Sequence, residues 1–148
     1  TNGRAQQPLR IARAPGYAGP LPAYQTEGAA GLDLHAAAPR AVYPDRVATI
    51  PTGIMVEIPP GFVGMVVGRS GLSKRGMHVI PGTIDSDYRG EISILATAIG
   101  ESHTVAVGDR VAQILILPVT RCEVMEVTPA ELTPTERGAG GFGSTGVL

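Results

Sequence analysis

Apolar and polar residues alternate over several short stretches of the chain, and turn-forming residues separate those stretches. In 32–35 and 91–98 apolar residues occupy every second position, as in a strand with one buried face. The run 62–67 is continuously apolar, which is typical of a central strand, and 111–117 is the most hydrophobic segment. Because Gly or Pro bounds such short runs, they predict strands rather than helices.

Weaker signals extend this pattern along the chain. Further strands are predicted at 9–13, 46–50, 54–58, 78–80 and 123–127, with a turn at 51–53. Helical turns are predicted only at 71–76 and, as one short turn, within 129–136. The sequence shows no internal repeat and no linker. It therefore predicts an all-β domain, a compact β-barrel or jelly-roll-like sandwich with one short helical turn in its core.

Composition agrees with a single β-rich domain. The 148 residues include 20 Gly and 13 Pro, as many tight turns require, and 43% are apolar, which excludes a disordered composition. Aromatic residues make up 4% and Trp is absent, so the core must be aliphatic. We expect a disordered N-terminal arm at 1–8, a β core at 9–128 and a flexible C-terminal arm at 129–148.

Charge narrows the classes of partner. The net charge is −1, 17% of residues are charged, and the positive residues are scattered, which argues against nucleic acid or a membrane surface as a partner. The chain has no apolar run of 18 residues, no signal-peptide layout and one cysteine, Cys122. We expect an intracellular protein, and the low charge hints at surface buried between subunits.

The segment 82–91, GTIDSDYRGE, is the most informative part of the chain. Asp and Gly are ordinary turn residues, so an isolated Asp-x-Asp would indicate a structural turn. Here Thr83 and Ile84 precede the acids and Tyr88 follows them. This combination favours a hairpin with exposed main-chain groups beside an aromatic ring, and a pocket that aims a carboxylate at water.

A glycine-rich segment, 137–146, follows near the C-terminus. Its spacing matches G-x-G-x-x-G, but a dinucleotide-binding fold also needs a preceding strand, a following helix and a parallel sheet. Two interpretations stay open, a disordered end and a flexible strap. In the strap, Arg137, Ser144 and Thr145 would meet phosphate, and Phe142 would stack on a base.

Other polar residues are individually weak signals. Arg69-Ser70-Gly71 opens the predicted helical turn, and a guanidinium, a hydroxyl and main-chain N–H groups suit phosphate. Gly108–Arg110 alone indicates only a hairpin turn, Gln113 a strand-edge residue, and Asp33 the solvent face of its strand. The cysteine and the histidines lack metal-ligand spacing.

Taken in order, five segments resemble the five motifs of the homotrimeric dUTP pyrophosphatases (dUTPases). The resemblance covers residues 30–146. Gly68 stands where the second motif usually has proline, as in some viral members, so a viral origin is left open. The five segments are Ala30–Leu34, Gly68–Leu72, Gly82–Glu91, Gly108–Gln113 and Arg137–Gly146.

The resemblance implies an activity, a cofactor and an assembly. Family members cleave dUTP to dUMP and pyrophosphate with Mg²⁺. They form homotrimers in which a C-terminal arm crosses to a neighbour and each site takes motifs from three subunits. By this resemblance Asp85 is the general base, activating water for in-line attack on the α-phosphorus, and Asp33 acts on Mg²⁺ through water only.

The same resemblance implies how dUTP is held. The hairpin at 82–90 would take uracil, and Tyr88 would pack under deoxyribose and leave no room for a 2′-hydroxyl. The tail would close over the substrate last. The implied contacts are Gly82, Thr83 and Ile84 to uracil, Arg69, Ser70, Gly71 and Gln113 to the phosphates, and Arg137, Phe142, Gly143, Ser144 and Thr145 from the tail.

Two other functions stay open at this stage. One is a non-catalytic module that binds dUTP or a protein partner, and the other is an enzyme related to dCTP deaminase. Loss of Asp85, Tyr88 or the tail would favour the first, and all are present. The Phe-Gly-Ser-Thr tail and the Asp-Ser-Asp-Tyr turn fit dUTPase better than deaminase.

Overall fold

Ten short strands and one short helix make up the regular structure of the described chain. The computed structural model describes residues 7–143 and 145–146. A five-residue helix, α1 (Ser70–Lys74), follows the fifth strand, and a 3₁₀ turn covers Pro129–Glu131. The strands are β1 (Arg10–Arg13), β2 (Leu32–His35), β3 (Arg40–Val42), β4 (Ala48–Glu57), β5 (Phe62–Val67), β6 (Met77–Val79), β7 (Gly82–Ile84), β8 (Glu91–Ala98), β9 (His103–Val105) and β10 (Arg110–Pro118).

The strands form two four-stranded antiparallel sheets around one core. The first sheet has the order β1-β4-β8-β6, the second β2-β10-β5-β7, and β3 pairs with β9. Inward-facing residues of both large sheets meet in one cluster, which confirms the predicted all-β, jelly-roll-like fold. Apart from Thr52 and Met77, the largest fully buried side chains are aliphatic, as predicted, and include Leu34, Ile50, Ile54, Ile92, Ile94 and Ile114.

Most predicted strands lie where alternation or a continuous apolar run marked them. β2, β5 and β8 have the predicted bounds, β1 begins one residue later than predicted, and β6 and β10 differ from theirs by one residue at each end. The predicted helical turns appear as α1 and the 3₁₀ turn. Three strands, β3, β7 and β9, were not predicted. Each has three residues, too few for a hydrophobic period to show.

The prediction of two strands flanking a turn at 51–53 is wrong. One ten-residue strand, β4, runs through this segment, and its register with β8 shifts between Pro51 and Met55. This irregularity is a β-bulge, which bends the strand without ending it. Gly53 adopts φ +69°, and the Thr52 hydroxyl donates to the Ile92 carbonyl at 2.6 Å and accepts from the Ile54 N–H at 3.3 Å.

The predicted strand at 123–127 is also wrong. All residues from 117 to 139 are exposed, Val124 and Met125 at 95% and 74%. A strand requires a partner for its main-chain hydrogen bonds. Within the described part of this one chain, the segment pairs with no strand of any sheet. The apolar alternation is present, but the chain itself supplies no edge for it.

The N-terminal arm predicted at 1–8 falls mostly on residues 1–6, which lie outside the described residues. Gln7 and Pro8 are exposed and have no regular structure before β1. Across 7–143 and 145–146, none of the helices has the length and apolar character needed to cross a membrane.

We expect the bulge to depend on the buried Thr52 hydroxyl. Thr52→Val keeps the shape but leaves the Ile92 carbonyl and the Ile54 N–H without this partner. It should lower the free energy of unfolding by about 1–3 kcal/mol, measured by urea denaturation at fixed protein concentration. Thr49→Val, at an exposed position of the same strand, is the control and should change it by less than about 0.5 kcal/mol. Equal effects would contradict this assignment.

Candidate active site

Three of the five predicted motifs meet at one end of the second sheet. Strand β10 lies between β2 and β5, and its register pairs Gln113 with Asp33 on one side and with Val67 on the other. The chain leaves β5 at Val67 and enters α1 through Arg69. Since these strands are antiparallel, the end of β5 lies beside the start of β10, which brings Asp33, Arg69 and Gln113 together.

Asp33 is a buried carboxylate shared by two arginines. It is 6% exposed, its Oδ1 lies 3.5 Å from Arg69 Nε, and its Oδ2 lies 3.4 Å from Arg110 Nη1. Arg69 Nη1 also donates to the Arg110 carbonyl at 3.3 Å. Two guanidinium groups facing one carboxylate leave a positive charge in excess, which suits an anion such as phosphate.

Arg110 is a site residue that sequence reasoning missed. It lies in the fourth motif, where Gly108–Arg110 was interpreted only as a turn, and the turn itself is present, with Gly108 at φ +87°. The link from Arg110 to Asp33 exists only because β10 pairs with β2. The sequence does contain one signal for a cation partner of Asp33. This carboxylate lies between two apolar neighbours in its strand, and a buried carboxylate requires a cation.

Gln113 is held in a narrow space behind this charged group. Its Nε2 donates to the Gly68 carbonyl at 3.0 Å. A Cβ at Gly31 would lie 2.5 Å from Gln113 Oε1, so a side chain there would force the Gln113 amide to move. Gly68 does not have a positive φ, so the residue that replaces the family's proline is not required for backbone conformation.

A cationic cavity of about 560 Å³ adjoins Arg69 and Gly71. Arg75 and Arg110 also line it, and Asp109 is its acidic residue. The Asp109 carboxylate accepts a hydrogen bond from the Ala106 N–H at 2.9 Å. Ser70 and Gly71 form the exposed start of α1 beside the cavity.

The pKa of His35 is affected by the charged residues Asp33, Arg69 and Arg110. Burial lowers the pKa of His35. The neighbouring Asp33 carboxylate opposes this effect, and the cations of Arg110 and Arg69 lower the pKa further. The imidazole is therefore disposed to stay neutral beside the two arginines.

The acidic turn predicted as the catalytic part joins the two sheets. Gly82, Thr83 and Ile84 form β7, an edge strand that pairs only with β5 in the described chain, and the turn then leads into β8. The Tyr88 N–H donates to the Asp85 carbonyl at 3.1 Å, and the Tyr88 hydroxyl donates to the Glu91 carbonyl at 3.0 Å.

The side chains of this turn are accessible. Asp85 is exposed, and Tyr88 is 44% exposed with its ring against Gly90. A Cβ at Gly90 would collide with the Tyr88 ring and hydroxyl, so glycine is required for this packing. The turn thus presents a carboxylate and a fixed aromatic ring next to a free strand edge.

A single chain does not bring the acidic turn close to the group formed by Asp33, Arg69 and Gln113. Ile84 lies beside Gly64 of β5, whereas Gln113 lies beside Val67, three residues further along that strand and across it. With about 3.3 Å per residue and 4.8 Å between strands, the two positions are about 14 Å apart. Asp85 lies one residue beyond Ile84 and so further still from Gln113.

None of the described tail residues forms a hydrogen bond or ion pair with the Asp33 group or with the acidic turn. Arg137 Nε donates to the Gly140 carbonyl at 2.7 Å, which folds the segment on itself. Phe142 is fully exposed at φ +50°, and Gly143 adopts φ +83°. Thr145 is exposed, and the predicted contact residue Ser144 lies outside the described residues.

Comparison with known proteins identifies the family. A dUTPase family model matches residues 18–146. The deoxyuridine 5′-triphosphate nucleotidohydrolase of Rhizobium johnstonii is 49% identical over 147 residues, covering 94% of this chain and 92% of the relative. The enzyme of the same name from an Anaeromyxobacter species is 52% identical over 130 residues, covering 85% and 87%.

Solved structures agree with these sequence matches. The dUTPase of Staphylococcus bacteriophage 80alpha with dUpNHpp superposes with a TM-score of 0.87 and 26% identity, covering 96% of this chain and all of that one. A dUTPase from phage phi11 of S. aureus, described with a structural Mg(II) ion, gives a TM-score of 0.77 at 25% identity, covering 85% and all of that chain. The chain belongs to the dUTPase family, as its five motifs predicted.

We expect Asp33 to fix the two arginines. Asp33→Asn leaves both guanidinium groups without their shared carboxylate. It should lower the free energy of unfolding by about 1–3 kcal/mol. The loss is no larger because both arginines are partly exposed and water screens their ion pairs. The measurement is urea denaturation at fixed protein concentration. Glu101→Gln removes an exposed loop carboxylate and should have almost no effect. An unchanged unfolding energy in Asp33→Asn would contradict the shared ion pair.

Proposed function

We propose that this protein hydrolyses dUTP to dUMP and pyrophosphate, with Asp85 as the general base. The single observation that carries this proposal is the exposed Asp85 carboxylate at the end of edge strand β7, in a chain of the dUTPase family. From the rim of a base-sized slot, Asp85 holds a water molecule. It removes the proton of that water during in-line attack on the α-phosphorus.

Uracil is read by the main chain of β7. An edge strand has unpaired N–H and C=O groups along its free side, and β7 pairs with β5 on one side only in the described chain. Gly82, Thr83 and Ile84 therefore offer donors and acceptors to the edge of the base. Cytosine presents a donor where uracil presents an acceptor and leaves main-chain groups unpaired, and thymine collides by its methyl group.

Tyr88 selects deoxyribose over ribose. Its ring is held at the hydroxyl end, by close packing on Gly90 and by the hydrogen bond from the hydroxyl to the Glu91 carbonyl. A ring held in this way packs under the sugar and leaves no room for a 2′-hydroxyl. Fixing the ring before substrate arrives reduces the ordering cost of binding.

The phosphate chain lies against the cationic group. Arg69, Ser70 and Gly71 line the approach to it, and Gln113 contacts the α-phosphate end. The excess positive charge at Asp33 and the two arginines supports this assignment, because guanidinium groups bind phosphate oxygens in bidentate fashion.

Magnesium is proposed as the cofactor, held mainly by the triphosphate and water. Among the described residues, no group of three or more His, Cys, Asp or Glu is close enough to hold a metal. Asp33 already forms ion pairs with two arginines, which fits an action through water rather than direct ligation. When bound, the ion supplies neutralisation of the charge that develops on the leaving pyrophosphate.

The complete site is proposed to need more than one subunit of a homotrimer. The 14 Å separation within one chain supports this, since neither strand can slide within a paired sheet. The outer face of β5 and β10 also carries apolar residues, Val63, Met65, Leu115 and Leu117, and Leu117 is 40% exposed. Asp33 and Gln113 border this face, so a neighbour packed on it would bring its Asp85 towards them.

The C-terminal arm is proposed to complete the site of a neighbour. We assign 9–128 to the core and 129–148 to the arm, and the exposure of every residue from 117 to 139 supports a segment that leaves its own core. On closure, Phe142 stacks on uracil. Arg137, Ser144 and Thr145 contact the γ-phosphate, and Gly143 allows the segment to turn.

We expect Asp85→Asn to lower turnover of dUTP by about 10²–10⁴-fold, because the amide cannot accept a proton from water. Pyrophosphate release from dUTP with Mg²⁺ is the measurement. Asp87→Asn changes the same charge two residues away in the same turn and should stay within a few-fold of the parent protein.

Two results would refute these roles. Equal turnover in Asp85→Asn and the parent would refute the general base. Absence of pyrophosphate release by the parent would refute the activity, and ammonia release from dCTP would instead support a deaminase.

We expect subunits with different defects to complement each other. Asp85→Asn and a variant truncated after Glu136 should each be nearly inactive, yet trimers formed by refolding them together should regain activity. Because a shared site takes Asp85 from one subunit and the tail from another, about a quarter of randomly mixed sites hold both intact. Refolding each variant alone is the control. No gain on mixing would show that one chain builds the whole site.

A further inference from the structure

Arg89 contacts the backbone of the catalytic turn at two points. Its Nη1 donates to the Ser86 carbonyl at 2.7 Å and to the Tyr88 carbonyl at 3.1 Å. Its Nη2 lies 3.4 Å from Glu57 Oε1. One guanidinium group thus holds two carbonyls within the segment that begins at Asp85 and ends at Tyr88.

Glu57 connects this arginine to the opposite sheet. β7 belongs to the second sheet, whereas β8 and β4 belong to the first, so the turn crosses between them. Met55 pairs with Glu91, and two more residues of the same antiparallel register place Glu57 opposite Arg89. Glu57 also accepts from Arg10 Nη1 of β1 at 2.9 Å. The guanidinium therefore ties the turn to β4 directly and, through Glu57, to β1.

These contacts decide how the turn is ordered. The side chains of residues 85, 87, 88 and 89 are exposed, so packing in the core does not fix their backbone. The Tyr88 N–H and the carbonyls of Asp85, Ser86 and Tyr88 are instead held by hydrogen bonds, and Arg89 makes two of them. A charged donor makes such bonds stronger than neutral ones.

We propose that Arg89, anchored by Glu57, is a positioning residue for both Asp85 and Tyr88. The inference rests on the proposed function, since it concerns the geometry of the same site. Asp85 opens the turn and sets the attacking water, and Tyr88 closes it and sets the fit to the sugar. One contact therefore controls two measurable properties, turnover and discrimination between dUTP and UTP.

Arg89→Ala is the principal test, with Arg10→Ala as the matched control. Both substitutions remove an arginine from Glu57, but only Arg89 contacts the turn. Arg89→Ala should lower kcat for dUTP by about 10- to 100-fold, as expected when a catalytic group moves by about 1 Å. It should also lower the ratio of kcat/KM for dUTP over UTP several-fold.

A stability measurement distinguishes an effect of Arg89 on the position of the turn from an effect on folding. The Arg89 and Glu57 side chains are 54% and 40% exposed, so their ion pair contributes little to the unfolding energy. Thermal unfolding of Arg89→Ala should stay close to that of Arg10→Ala. Arg10→Ala itself should retain parent values of kcat and of the substrate ratio.

Glu57→Ala is the second variant and removes the anchor while leaving the two carbonyl bonds possible. Its kcat and substrate ratio should fall less than those of Arg89→Ala. If Arg89→Ala does not fold, Glu57→Ala decides: a fall in both quantities beyond Arg10→Ala supports the proposal, and parent values overturn it.

The remaining outcomes separate this inference from the proposed function. A parent protein that hydrolyses dUTP, with Arg89→Ala equal to Arg10→Ala in both quantities, overturns the role of Arg89 alone. A parent protein that releases no pyrophosphate from dUTP overturns the proposed function, and the role of Arg89 with it.

Discussion

The pairing of β5 with β10 on one side and β7 on the other is the constraint on which the site depends. It fixes Gln113 beside Val67 and Ile84 beside Gly64, at different points along one strand. A hydrogen-bonded ladder holds its register, because a shift of one residue would turn the buried side chains outward. The group formed by Asp33, Arg69 and Gln113 and the free edge of β7 therefore keep a distance that one chain cannot close. The proposed trimer follows from this rigidity, since a neighbour can supply the missing half without either sheet moving.

Charged side chains have different surroundings in the group around Asp33 and in the acidic turn. In the group around Asp33, the carboxylate is buried and its two arginines are partly exposed, so the carboxylate orders cations that still face the cavity. At the acidic turn, the ion pair of Arg89 with Glu57 is half-exposed and contributes little to stability. Its proposed value is geometric, because a guanidinium fork can hold two main-chain carbonyls and a carboxylate at fixed directions. The same residue types are thus proposed to bind phosphate around Asp33 and to orient the backbone at the acidic turn.

The exposed C-terminal segment has features that suit the proposed contact with a neighbouring subunit. Val124, Met125 and Phe142 are apolar side chains that lie in water in the described chain. Burial of such side chains against another molecule is favourable because it removes apolar surface from water. Glycine at positive φ in Gly138 and Gly143 lets the segment bend where other residues would be strained. An arm with these properties suits closure over a bound nucleotide, which excludes water from the reacting phosphate.

The sequence by itself determined the all-β fold, the bounds of β2, β5 and β8, the aliphatic core and, through five motifs in order, the dUTPase family. These follow from local periodicity and from short segments whose residues are adjacent in the chain. It could not determine that β4 continues through its bulge, that 123–127 lacks a partner within the chain, or that Asp33 joins Arg69 to Arg110. Nor could it determine that Arg89 faces Glu57, 32 residues away. Those features depend on strand pairing between distant residues, which only the tertiary structure decides, because a local pattern states that a strand has a buried face but not which strand lies beside it.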